Sequence, residues 1–86
     1  MIKFLLGETK TLKFRVTNSE GEDFTIQEAS YKLYKANELV DERECKIEEH
    51  DILMVITPEE RGFYNIEITY KVNDETRMGR YQIDCD

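Results

Sequence analysis

There is no tryptophan in this chain, one proline, one histidine, two cysteines and four glycines. Each scarcity removes a class of explanation. Cys45 and Cys85 lie far apart with no C-x-x-C spacing. In a reducing compartment they read as two small buried or half-buried hydrophobes rather than as a disulfide. His50, in Glu48-Glu49-His50-Asp51, offers nitrogen beside oxygen ligands, but no second histidine or paired cysteine completes a metal site. That segment reads as solvated loop. A nucleophilic pair of Cys45 with His50 needs a third, orienting group, and alternating strand geometry supplies no reason for one. The glycines stand singly, so no glycine-rich phosphate loop is present. Outward aromatics reduce to Phe63 and Tyr34, a thin supply for a flat sugar platform. Positive charge is short as well: twelve basic residues against nineteen acidic leave −7. A field of that sign repels phosphate backbones and anionic lipid, so neither nucleic acid nor membrane is an expected partner. Long apolar runs are missing too. Residues 2–6 are too short for a signal-peptide core, and nothing nears the roughly 20 apolar residues of a membrane span. The expected location is the cytoplasm in which the chain is made.

What is present is alternation. From Tyr64 onward, Tyr64, Ile66, Ile68, Tyr70 and Val72 form one apolar row, and Asn65, Glu67, Thr69 and Lys71 form the opposite polar row. A helix would scatter these residues, whereas a strand with one face on a core and one in water sorts them. Pro58-Glu59-Glu60-Arg61-Gly62 ahead of it is a turn, proline fixing φ and glycine permitting positive φ. The spacing predicts further strands over residues 2–6, 11–17, 29–35, 52–57 and 77–85, with turns between them. Asn18-Ser19-Glu20-Gly21-Glu22-Asp23 is turn chemistry, and Phe24-Thr25-Ile26 anchors an irregular crossing. The near-continuous apolar run at 52–57 predicts a strand buried on both faces or twisting between the layers. Gly79, within the last strand, predicts a bulge, and Asn73-Asp74-Glu75-Thr76 closes the preceding hairpin.

Residues 36–51 hold seven acids against two bases, net −5. Leu39, Val40, Arg43 and Ile47 would share a helical face, so a short helix is one reading. Two edge strands, near Leu39 and Val40 and near Cys45 to Ile47, split by a turn at Asp41-Glu42-Arg43-Glu44, are the preferred reading, because the helical stripe contains an arginine. Dense charge suits edge strands, where it discourages sheet-to-sheet pairing. The expectation is an all-β sandwich of two antiparallel sheets, about seven strands with Greek-key connections, as one domain over residues 1–86. Its core includes Phe14, Tyr31, Leu33, Ile66, Ile68 and Ile83. A domain of this size buries roughly 60% of its extended surface, enough for one two-layer core.

The order Pro-Glu-Glu-x-Gly-x-Tyr-x-Ile resembles the E–F corner of immunoglobulin-like domains, with Glu60, Gly62 and Tyr64 in its three marked positions. The resemblance implies a tyrosine corner, in which the Tyr64 hydroxyl bonds back to nearby main chain. Ile66 stands where that family has its strand F cysteine and Phe14 at the strand B partner position, while Tyr31 or Leu33 replaces the strand C tryptophan. These departures point away from antibody-type domains and toward disulfide-free sandwiches. A second likeness covers nearly the whole chain. Gly-Glu-Thr-x-x-Leu-x-Phe-x-Val-Thr-Asn-x-x-Gly from Gly7, then Phe24-Thr-Ile-x-x-Ala-x-Tyr-x-Leu and the Gly-x-Tyr corner, is similar to small immunoglobulin-like domains of tailed-phage and prophage virion proteins. Among these, it resembles notably the N-terminal domain family of baseplate upper proteins.

That likeness implies a structural or adhesive module that docks on virion, tail or baseplate proteins, or on itself, and resides in the virion if phage-derived. It transfers no catalytic, cofactor-binding or metal-binding residues, and none is assigned from the sequence. Carboxylates are plentiful, but general acid catalysis needs one that is buried and shifted. Two other classes stay open: a cell-surface or carbohydrate-binding sandwich, and a small enzyme. The candidate association surfaces are the less charged edges at residues 2–6 or 81–85.

Overall fold

A computed structural model describes residues 1–17 and 24–86. The predicted turn at residues 18–23 lies outside the described residues. Eight strands run in the order β1 (Ile2–Phe4), β2 (Lys10–Arg15), β3 (Ile26–Lys35), β4 (Glu38–Glu44), β5 (Lys46–Glu48), β6 (Asp51–Ile56), β7 (Gly62–Val72) and β8 (Glu75–Cys85). One sheet has the order β1-β8-β7-β3-β4 and the other β2-β6-β5. The two sheets make a β-sandwich, and its strand order parallels that of immunoglobulin-like sandwiches, β2-β6-β5 corresponding to B-E-D and β8-β7-β3 to G-F-C, with β4 added beside C. The chain is all-β. One feature departs from two antiparallel sheets of about seven strands: β1 is an eighth strand and pairs parallel to β8, Ile2 with Ile83 and Phe4 with Cys85.

The central pair β7 and β8 is built by the alternation read from the sequence. Tyr64, Ile66, Ile68 and Val72 are buried, and Phe63, Asn65 and Glu67 face out between them. Facing them from the smaller sheet are Ile52, Met54 and Ile56 of β6. Fully burying an isoleucine contributes about 1.5–3 kcal/mol, so this stack dominates the fold's stability. Tyr31, Leu33 and Ile83 join the core as predicted, whereas Phe14 is only partly buried at its margin. Phe14 sits 5.6 Å from the Tyr70 ring and 5.5 Å from the Tyr81 ring, closing the sandwich on that side.

Several local expectations are corrected. Residues 36–51 form strands, but Asp41 to Glu44 lie inside β4 rather than in a turn; the break comes at Cys45. An edge strand solvated on much of its surface tolerates that charge density. β6 is not buried on both faces: Val55 is 60% exposed between buried Met54 and Ile56. Gly79 pairs with Ile68 in unbroken register, so there is no bulge there. The register shifts instead between Leu33 and Tyr34 opposite β4, and between Ile26 and Glu28 opposite β7. Ile26 belongs to β3 from its start.

Two hairpins close through two-residue loops with both residues at positive φ, Ala36 and Asn37 (50° and 66°) and Asn73 and Asp74 (50° and 66°). That is the loop whose twist matches the flanking strands, and after glycine it is asparagine and aspartate that tolerate it best, as at three of these four positions. Glu75 and Thr76, expected in the second turn, are already β8.

Candidate association surfaces

The β6–β7 corner is fixed by Tyr64. Its hydroxyl donates to the Glu60 carbonyl (2.8 Å) and accepts from the Glu60 amide (3.1 Å), with the side chain 3% exposed. Gly62 has φ +129°, a conformation open to glycine. Lys35 of β3 reaches over the corner, its Nζ 5.8 Å from the Tyr64 ring centroid and paired with Glu60. That pairing holds the Glu60 carboxyl below its ordinary range.

Other polar side chains that approach the interior also serve the fold. Asp51 opens β6 opposite Arg15 and takes both guanidinium contacts, Nε to Oδ1 at 3.0 Å and Nη2 to Oδ2 at 3.3 Å. The Arg15 hydrogen bond, more than burial opposes it, lowers the Asp51 pKa. Tyr31 donates to Asp41 Oδ2 (3.3 Å), which Arg43 Nε also approaches at 3.2 Å. Burial first, and Asp41 second, push the Tyr31 phenol up. Among the described residues no buried side-chain nitrogen or oxygen lacks a partner.

The residues considered for chemistry make no side-chain hydrogen bond among the described residues. His50 falls in the β5–β6 turn, where its carbonyl accepts from the Val16 amide (2.9 Å) and its ring stacks on Phe24 at 4.2 Å. The residue lies in an exposed turn, as expected, with one side of its ring against Phe24. Cys45 links β4 to β5, its amide donating to the Ala29 carbonyl (2.9 Å), and burial pushes its thiol up to about 11. Cys85 is buried; both cysteines are free thiols.

The outer face of the larger sheet carries a ladder of alternating charge. The register places Arg80, Glu67, Lys32 and Glu42 in one row across β8, β7, β3 and β4, with Arg80 Nη2 2.9 Å from Glu67 Oε2. Cross-strand opposite charges of this kind support the sheet.

The edges are less complete. β1 covers only Ile83 to Cys85, so residues 75–82 of β8 have no strand partner on that side among the described residues. The edge expected at residues 81–85 is thus mostly capped, and its open part lies upstream. Met78, 57% exposed, and Tyr81 mark it. On the opposite flank β5 covers only residues 51–53 of β6, leaving residues 54–56 similarly open and β4 as the outermost strand. Between β4 and the β6–β7 corner lies a cleft of about 590 Å³, lined by Leu33, Val40, Ile56, Pro58 and Tyr64 with Glu38 and Glu59 at its rim. The sequence signalled the acidity of this flank, while the missing half of β5 that opens the cleft has no local signature.

No family model, curated protein or solved structure matches the chain. The fold assignment therefore rests on strand order and on the corner geometry.

Proposed function

We propose that this protein is a non-catalytic association module that binds other proteins through its open sheet edges, and that its setting is the virion of a tailed phage or prophage. The observation that carries the association reading is the incomplete edge coverage: three residues of β1 against eleven of β8, and three of β5 against six of β6. Unpaired strand edges accept partner strands through main-chain hydrogen bonds. The interior polar groups Tyr64, Asp51 and Tyr31 are already committed to holding corners and edges, which suits a scaffold. The virion setting is supported by the layout from Gly7 to the Gly-x-Tyr corner.

The test is affinity capture with the purified chain from lysate of cells carrying an induced tailed phage, read by mass spectrometry, beside sedimentation of the chain alone. Tail or baseplate components retained in stoichiometric amount support the reading, and Met78→Glu should weaken capture if β8 is the edge used. A strict monomer that retains none of them but binds a defined glycan hands the case to the carbohydrate-binding alternative.

A further inference from the structure

The two open flanks differ beneath the backbone. Under β8 the space between the sheets is filled by the rings of Phe14, Tyr70 and Tyr81. Under β4 it is empty, because β5 stops short and the 590 Å³ cleft reaches the core residues Leu33, Ile56 and Tyr64. That volume is within the range of about 300–1,000 Å³ typical of binding pockets. A strand added to β4 would send every second side chain into this space, by the alternation of strand geometry. Val40, half exposed, sits at the entrance.

Charge narrows the occupant. The two cations of the cleft are already satisfied, Lys35 by Glu60 and Arg43 by Asp41. Glu38 and Glu59 at the rim, and Glu42 and Glu44 on the outer face of β4, make no close ion pair among the described residues. The rim therefore presents net negative charge to anything that enters. A second copy is disfavoured, since each chain carries −7. The chain's own segment of suitable pattern, Lys10–Arg15, is committed to β6.

We propose that this cleft receives an extended segment of a different protein, added as a strand to β4 and alternating apolar side chains with lysine or arginine. This rests on the association reading above and names its site and partner chemistry. The apolar side chains cover Leu33, Val40 and Ile56 on the cleft side, and the cations, on the opposite face of the added strand, lie beside Glu42 and Glu44 of β4. Main-chain bonding to β4 supplies affinity, and the alternating side chains supply the choice of partner.

The test is a titration of the isotope-labelled chain with a capped decapeptide of alternating valine and lysine, followed by amide shifts and hydrogen exchange. Peptides alternating valine with glutamate, and serine with lysine, serve as controls. Saturable shifts on β4 and at Ile56 and Thr57, with slowed exchange on β4, are expected for the valine–lysine peptide alone. Val40→Arg should cost about tenfold in affinity, as loss of a central apolar contact does. Glu42→Lys with Glu44→Lys should move the preference toward the valine–glutamate peptide. No saturable shift at millimolar peptide, shifts confined to β8 or β2, or binding of the chain to itself at β4, would each overturn the proposal. Val40→Arg also separates it from the broader reading: if that variant folds, fails with the peptide, yet still captures virion proteins, association stands and the cleft is not its route.

Discussion

Replacing Tyr64 by phenylalanine removes one oxygen and leaves the ring, so the change isolates the corner. Two hydrogen bonds to the Glu60 main chain are lost, at 2.8 and 3.1 Å, while the buried ring still fills its place. A hydrogen bond of this kind contributes about 0.5–1.5 kcal/mol net, and stranding its partner in the interior costs about 1–3 kcal/mol. Glu60 is exposed, so water reaches the freed amide and carbonyl and offsets part of that cost. The expected destabilisation is about 1–2 kcal/mol, a fall in Tm of about 5–15 °C for a domain of this size. Urea denaturation should show a lower midpoint with an unchanged slope, since the surface exposed on unfolding is the same. Faster amide exchange at Glu60 should accompany it. Glu60→Ala, which leaves both main-chain partners in place and removes only the exposed ion pair with Lys35, should lower the midpoint far less. An unchanged midpoint in Tyr64→Phe, or an equal loss in Glu60→Ala, would refute the assignment of the corner to the hydroxyl.

Four further outcomes are expected. Gly62→Ala should destabilise by about 1–2 kcal/mol in a denaturant titration, because φ +129° strains any side chain and the added carbon meets Lys35 Cε at 3.3 Å. Gly79→Ala should be neutral or stabilising by about 0.5–1 kcal/mol, since its nearest neighbour is Tyr81 Cε2 at an ordinary 3.5 Å and alanine orders the strand better. Stability should fall as pH drops below about 4, because Asp51 and Glu60 have lowered pKa values in the folded state; their stabilising effect is full above the unfolded value and lost through the folded one, and Asp51→Asn should flatten that dependence. Cys45 should resist iodoacetamide at pH 8 until the protein is unfolded, as a thiol raised to about 11 holds little thiolate there.

How far the sequence revealed this fold depends on how local each cause is. β7 and the corner are written in adjacent residues, and alternation plus Gly62 and Tyr64 suffices to place them. β4 was half legible: Asp41-Glu42-Arg43-Glu44 looks like a turn because charge usually marks one, yet an edge strand solvates its charges just as well. β6 misled through composition, since a run of apolar residues hides which of them, here Val55, faces water. Gly79 was read as a bulge but sits in unbroken register with room for a methyl group; the actual register shifts, beside Tyr34 and beside Gln27, carry no glycine at all. The pairing of β1 with β8 joins opposite ends of the chain, and no short window contains that information. The cleft follows from the same limit, because it is made by strands that end early rather than by any residue that announces it.

The parallel pairing of β1 with β8 also settles how the domain meets mechanical force. Ile2 lies beside Ile83 and Phe4 beside Cys85, and the ladder continues through Asp86 N–H to the Phe4 carbonyl (2.9 Å) and Leu6 N–H to the Asp86 carbonyl (2.8 Å). Tension entering at Met1 and leaving at Asp86 pulls these two strands past each other along their length. Their hydrogen bonds are then strained together in shear, whereas an antiparallel pair pulled from one end opens bond by bond. Rupture requires the short β1 to slide out as a unit, carrying the buried Phe4 ring with it. A module strung between two other bodies would thus hold to a threshold and then yield abruptly, with β1 as its latch.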